Sequence, residues 1–186
     1  ILYIIYNIFI YMHLGFIGTG RITLSIIYGI FNSKLKVRKI YISQRNKNIS
    51  NKLSKKFNKV KILKNNQEII DKSNLIFLAV TPKVGNKILP NLKFNSNKKI
   101  LSLISTINLK KIKQFTKSNK VTRVIPLPFI NMRKGPIIIC PSNKQIKKFF
   151  NHLGTVIEVK KENLSKGFWS TSSFMASYYN LLNVIC

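Results

Sequence analysis

The stretch His13-Leu14-Gly15-Phe16-Ile17-Gly18-Thr19-Gly20-Arg21 decides the fold of this chain. The apolar run Leu14–Ile17 predicts a β-strand, and the glycines after it predict a tight turn into a helix over Arg21–Phe31. The first glycine allows the bend, the second lets the backbone approach a phosphate, and the helix N-terminus offers free N–H groups. The third small position falls on Thr23, which we expect to pack less closely than Gly or Ala. A lone G-x-G also fits an ordinary turn, so the neighbouring elements decide.

Those neighbours alternate between short apolar segments and helix-like segments. The further predicted strands are Lys39–Ser43, Lys61–Leu63, Leu75–Val80, Ile100–Ile104, Val121–Ile125, Pro136–Cys140 and Thr155–Val159. The further predicted helices are Asn46–Phe57, Asn66–Lys72, one that starts at Pro82, Asn108–Phe115 and Asn143–Leu153. This alternation predicts an α/β fold, a Rossmann-like doubly wound parallel sheet that binds a dinucleotide.

We divide the chain into three parts. Residues 1–11 form an apolar extension, and because Met12 directly precedes the first strand, we expect the natural protein to start there. An edge strand or packed arm is the alternative for the extension. Residues 12–160 form the dinucleotide-binding domain. Residues 161–186 read as the first helix of a truncated helical dimerisation or substrate domain, because this apolar pattern stops at Cys186 without a cap.

The charge and the cysteine content limit the classes of partner that we expect. The net charge is +29, from 33 Lys and Arg against 4 Asp and Glu. Such a balance is typical of polyanion binding, but the lysines are scattered in an Asn- and Ile-rich chain, so we favour compositional drift over specific nucleic-acid binding. Cys140 and Cys186 form no metal or disulfide pattern, which predicts a reduced, cytoplasmic setting. Residues 1–11 are shorter than the roughly 20 residues that span a bilayer, so we expect no membrane partner. The sequence shows no cluster of metal ligands, so we also expect no metal.

The end of the second strand indicates which dinucleotide fits. NAD-selective folds place an acid about 20 residues past the glycines, and this chain has Ser43-Gln44-Arg45 there, followed by Lys47. A hydroxyl and a guanidinium would bind a 2′-phosphate, which a carboxylate would repel. The pattern therefore favours NADP(H) over NAD(H). The alternative is that these cations are merely solvated.

Taken in order, several motifs resemble those of the pyrroline-5-carboxylate reductase-like family of NADP-dependent oxidoreductases. They are Gly15–Gly20, Ser43–Arg45, Asn66–Glu68, Asp71–Lys83 with its "FLAVKP"-like end, Arg123–Pro126 ("RVMP" in the family) and His152–Val156 ("LGTV"). The resemblance covers residues 13–160 well and 161–186 loosely.

The resemblance implies roles for individual residues. The pyrophosphate would lie against Gly18, Thr19, Gly20, Arg21 and Ile22, and the 2′-phosphate against Ser43, Gln44 and Arg45. Asn66 would lie near the adenosine. The cofactor would be bordered at the fourth strand by Ala79, Val80, Thr81 and Pro82. The implied reaction is hydride transfer to the C=N bond of a small imino acid, in proline biosynthesis, by a homodimer or larger assembly.

The chain also departs from the family's motifs. Leu127-Pro128-Phe129 replaces Asn-Thr-Pro, and Ser172–Tyr178 lacks both glycines of "SGSGPAY". Thr81 stands where lysine is common. Because the first two changes fall where the substrate carboxylate would bind, we expect a retained cofactor domain with an altered substrate site. A non-catalytic dinucleotide-binding protein and a deazaflavin-dependent NADP reductase are the alternative functions.

No catalytic residue is assigned from the sequence. Ser172 and Ser173 could supply a hydroxyl to the substrate, although a Ser/Thr cluster at a helix start also serves as a cap. His13 and His152, the only histidines, are expected to be structural or exposed.

Overall fold

The computed structural model describes residues 12–164 together with Gly167, Phe168, Ser170 and Phe174. The strands are β1 His13–Ile17, β2 Lys39–Ser43, β3 Val60–Leu63, β4 Leu75–Leu78, β5 Lys99–Ser102, β6 Val121–Pro126, β7 Pro136–Cys140 and β8 Thr155–Glu158. The α-helices are α1 Arg21–Asn32, α2 Lys47–Lys56, α3 Asn66–Lys72, α4 Pro82–Ile88, α5 Leu109–Thr116 and α6 Lys144–Phe150. Short 3-10 helices cover Leu89–Asn91 and Pro128–Met132. The expectations for residues 1–11, and most of those for 161–186, lie outside the described residues.

The strands form one eight-stranded sheet in the order β3-β2-β1-β4-β5-β6-β7-β8. From β3 to β6 every pairing is parallel, and β7 runs antiparallel to β6 but parallel to β8. The α/β fold is confirmed, with one correction to the predicted parallel sheet. Residues 127–135 between β6 and β7 are too few for a parallel crossover, which takes about a dozen or more residues, so the chain turns back.

Helices cover both faces of the sheet, and each face has its own core. On one face, Phe16 and Phe77 stack with ring centroids 4.2 Å apart, beneath apolar side chains of α1, α2 and α6. On the other face, Ile17 and Ile76 pack with side chains of α3 and α5. Alternate residues of each central strand therefore enter opposite cores, as expected where both faces are covered.

Several element ends differ from those that the sequence predicts. The fourth strand ends at Leu78 rather than Val80. On the side facing β5, its last backbone hydrogen bond runs from Leu103 N to Leu78 O at 3.0 Å. The fifth ends at Ser102 rather than Ile104, because the carbonyls beyond it bind an arginine instead of the sheet. Asn46 and Asn143 act as N-caps, so their helices start one residue later than predicted.

Helix α1 approaches the 3-10 turn after β6 closely at Gly29. A Cβ on Gly29 would lie 2.4 Å from the carbonyl oxygen of Ile130 and 3.5 Å from the Leu153 side chain. Glycine is needed at this position of the helix because the Cβ of any other residue would clash with that carbonyl.

Gly29→Ala is therefore expected to destabilise the fold, although alanine is the better helix former. Overpacking of this kind costs about 1–3 kcal/mol. Urea denaturation compares the variant with Ser25→Ala on the same helix, which should stay near the wild type. A Gly29→Ala protein at least as stable as the wild type would show that the contact relaxes freely.

Candidate active site

A cleft lies at the carboxyl ends of the parallel strands, where the chain order reverses. Strand β1 is flanked by β2 on one side and β4 on the other, the arrangement at which open α/β sheets bind ligands. The cleft has a volume of about 590 Å³. The loops after β1, β2 and β4 line it with Gly18, Thr19, Gly20, Arg45, Asn46, Lys47, Asn48, Ala79, Val80 and Thr81.

Gly18 and Gly20, in the loop between β1 and α1, differ in whether the fold requires a glycine. Gly18 has φ +102°, and a Cβ there would lie 2.3 Å from the carbonyl oxygen of Ala79. Gly18 is thus required by the turn and by the approach to β4. At Gly20 a Cβ would meet no atom within 4 Å. The fold itself does not require glycine at Gly20, which leaves open space at the start of α1.

Ser43, at the end of β2, holds the loop between β1 and α1 in place through hydrogen bonds. Its Oγ accepts a hydrogen bond from Gly18 N at 3.1 Å, and Thr19 Oγ1 donates to Ser43 O at 2.6 Å. The hydroxyls of Thr19 and Ser43 are 3.0 Å apart. Because Thr19 donates its proton to the carbonyl, the Ser43 hydroxyl donates to Thr19 Oγ1. Both side chains are nearly inaccessible, at 3% and 7% exposure, so the Ser43 hydroxyl is committed within the protein.

Thr23, at the third small position, is accommodated by a hydrogen bond. The residue is completely buried, and its Oγ1 donates to Gly18 O at 2.7 Å. A side chain larger than the usual Gly or Ala therefore ties α1 to the turn.

The rim beside β2 is positively charged. Arg45 and Lys47 are exposed and line the cleft, and Lys47 is the first residue of α2. The Asn46 side chain caps this helix by accepting from Ile49 N at 3.2 Å. None of the residues that line the cleft is acidic. This rim suits an anionic group.

The structure brings part of the predicted site together. Seven of the predicted residues line the cleft: Gly18, Thr19, Gly20, Arg45, Ala79, Val80 and Thr81. Ser43 lies buried beneath the first loop. Five others are not among the lining residues: Arg21, Ile22, Gln44, Asn66 and Pro82. The candidates Ser172 and Ser173 lie outside the described residues. That the lining residues bind a cofactor stays a prediction.

Sequence reasoning did not assign Asn46 and Asn48, which also line the cleft. A signal existed, because Asn46 stands at the start of a predicted helix and directly follows the end of a strand. Helix N-termini at that edge of a parallel sheet face the ligand crevice.

The histidines and Cys140 lie apart from the lining residues. Burial, followed by the charges of Arg38 and Lys39, lowers the pKa of His13. Burial also lowers the pKa of His152, with smaller effects from neighbouring cations. Burial raises the pKa of the Cys140 thiol. Within the described residues, no group of His, Cys, Asp and Glu could hold a metal ion.

A membrane-spanning helix is also not found. Among the described residues, none of the helices has both the length and the apolar character needed to cross a bilayer.

Comparison with known proteins agrees with this geometry. The chain is 24% identical over 180 residues to pyrroline-5-carboxylate reductase of Synechocystis sp., covering 92% of this chain and 67% of that protein. The fold matches 1-pyrroline-5-carboxylate reductase of Streptococcus pyogenes with a TM-score of 0.76 at 19% identity, over 92% of this chain and 66% of the other. Plasmodium falciparum pyrroline carboxylate reductase, solved with NADP bound, matches with a TM-score of 0.74 at 22% identity and the same coverages. The chain thus spans about two thirds of the length of these relatives.

A family model described as "NADP oxidoreductase coenzyme F420-dependent" matches residues 13–109. This range runs from β1 to the first residue of α5 and contains every residue that lines the cleft. The resemblance to reductases and the prediction of NADP(H) as the cofactor class are confirmed at the level of the family. The chain belongs to the family of coenzyme F420-dependent NADP oxidoreductases.

Proposed function

We propose that residues 12–160 form a cofactor domain that binds NADP(H) in the cleft, and that the enzyme reduces the C=N bond of a small imino acid. The observation that carries the proposal is the cationic rim of Arg45 and Lys47 beside β2, with no acid among the lining residues. Relatives of this fold that are pyrroline-5-carboxylate reductases support the substrate class.

The cleft fits a dinucleotide in three respects. The space beside Gly20 leaves room for a pyrophosphate against the start of α1. Arg45 offers a planar donor fork for the 2′-phosphate of NADP(H), and Lys47 adds a second cation. Ser43 does not contact this phosphate in our proposal, because its hydroxyl is committed to Gly18 and Thr19. Ser43 instead holds the phosphate-binding loop in place.

When bound, the reduced nicotinamide supplies a hydride to the imine carbon, while the imine nitrogen takes a proton. The chain's own contribution in the described part is to orient the cofactor. Ala79, Val80 and Thr81, which follow β4, border the half of the cleft away from β2, so we assign the nicotinamide to that half. We propose Ser172 and Ser173 as substrate-side hydroxyls, with a homodimer or larger assembly in the cytoplasm as the setting.

A second candidate function is hydride exchange between NADP(H) and a deazaflavin. The description of the matching family model favours it. So does the replacement of the polar Asn-Thr-Pro motif by Leu127-Pro128-Phe129, because an imino acid's carboxylate needs polar partners that this segment does not offer.

The first experiment is a titration of the purified chain with NADPH and with NADH, followed by nicotinamide fluorescence. Tighter binding of NADPH supports the cleft and the role of the cationic rim. A folded chain that binds neither cofactor would contradict the proposal. Oxidation of bound NADPH by a cyclic imino acid or by oxidised deazaflavin then separates the two reactions, and oxidation by neither favours a non-catalytic dinucleotide-binding protein.

Arg45→Glu should weaken NADPH binding by about 10- to 100-fold, because it replaces a charge-assisted hydrogen bond with repulsion of the 2′-phosphate. NADH lacks that phosphate and should lose much less. Arg38→Glu is the matched control, since Arg38 is exposed at the opposite end of β2. Equal losses for both cofactors in Arg45→Glu would remove Arg45 from the 2′-phosphate site.

Gly20→Val should fold normally, since a Cβ at this position meets nothing within 4 Å. It should nevertheless weaken both NADPH and NADH by roughly 100-fold or more, because the side chain fills the space of the pyrophosphate. Circular dichroism and the fluorescence titration check the two halves of this prediction. Gly167→Val, at a glycine that is not among the residues lining the cleft, serves as the control. Retained affinity in folded Gly20→Val would place the pyrophosphate elsewhere.

A further inference from the structure

A buried arginine in β6 holds the loop after β5. Arg123 is 2% exposed. Its Nη1 donates to the carbonyl oxygens of Ile104 at 2.7 Å and Ser105 at 3.0 Å. Its Nη2 donates to Ile107 O at 2.5 Å and to Glu162 Oε1 at 2.7 Å. A buried charge is costly unless it is paired and hydrogen-bonded, so this guanidinium and the loop carbonyls fix each other.

Glu162 fixes the far end of the same loop. Its Oε1 and Oε2 accept from Leu109 N at 2.9 and 3.1 Å, and Leu109 is the first residue of α5. The carboxylate thus binds an unpaired N–H of a helix start and the Arg123 guanidinium together. The ion pair ties residues 104–109 to β6 and to the segment after β8.

This loop supports one wall of the cleft. The Cδ1 atoms of Ile104 and Ile107 lie 3.0 and 3.1 Å from the point where a Cβ on Gly85 would stand. The Val80 side chain lies 3.6 Å from the same point. Gly85 belongs to α4, and Val80 lines the cleft. Arg123 is therefore connected through Ile104 and Ile107 to Gly85 and Val80. We call the segment from Ala79 to Gly85 the β4–α4 wall.

We propose that Arg123 and Glu162 are positioning residues for the nicotinamide half of the cofactor, acting through the loop and the β4–α4 wall. The proposal rests on the proposed binding of NADP(H). The adenosine half lies at β2, on the other side of β1, beyond the reach of these contacts. A disturbance of the pair should therefore weaken contacts to one half of the cofactor and leave the other half unchanged.

The test compares NADPH with adenosine 2′,5′-bisphosphate, which carries the adenosine, the 2′-phosphate and one 5′-phosphate but no nicotinamide. Arg123→Lys keeps the charge but loses the fork that reaches three carbonyls and a carboxylate. Glu162→Gln keeps the size and one acceptor oxygen but loses the charge. We expect either variant to weaken NADPH by about 3- to 30-fold with no change in bisphosphate affinity. Glu158→Gln is the control, because it removes the partly exposed ion pair with Lys147 on α6, away from the loop.

Each outcome bears on the proposal separately. Equal weakening of both probes would show a general structural role and overturn it, as would unchanged NADPH affinity in Glu162→Gln. If Arg123→Lys does not fold, Glu162→Gln decides alone. A folded wild-type protein that binds neither probe would overturn the proposed function itself. The rate of hydrogen exchange at the amides of residues 104–109 is a second measurement, made without cofactor. These amides should exchange faster in both variants than in Glu158→Gln.

Discussion

The close approach of the β1–α1 turn to the ends of β2 and β4 is the constraint on which the cleft depends. On one side, the Gly18 backbone leaves no room for a Cβ beside the Ala79 carbonyl. On the other, the Ser43 hydroxyl accepts from Gly18 N while Thr19 donates to the Ser43 carbonyl. These contacts hold three strand ends at fixed spacing.

Two of the chain's four acids form ion pairs with cations. Within the described residues, Glu162 pairs with buried Arg123 and Glu158 with Lys147. Hydrogen bonds from Lys147 and Ser142 lower the pKa of Glu158. Their stabilisation is thus present at neutral pH and lost as the pH falls through that lowered pKa. None of the residues that line the cleft is acidic, so Arg45 and Lys47 give its rim a local positive charge that does not depend on the net charge of +29.

Much of the fold could be predicted because local signals were consistent. The bounds of the second strand, Lys39–Ser43, and of the helix Asn66–Lys72 agree with the structure at both ends. The direction of β7 could not be read from its apolar sequence, since Pro136–Cys140 fits a buried strand in either orientation. Among the residues that line the cleft, Gly18, Gly20 and Arg45 could be predicted because turn chemistry and charge are local properties. Ser43 was predicted to bind the 2′-phosphate, whereas in the structure its hydroxyl is buried against Gly18 and Thr19, in a turn far away in sequence.

The sequence by itself determined the α/β class, the glycine turn after the first strand and the cationic end of the second. Each follows from hydrophobic period, backbone freedom or charge within a few residues. Only the tertiary structure decided that Ser43 braces the loop, that Gly20 has open space beside it, and that Arg123 and Glu162 meet. The reason is physical, because burial and hydrogen-bond partners arise when residues distant in sequence pack together. Arg123 and Glu162 stand 39 positions apart, and the sequence between them carries no local pattern that predicts the contact.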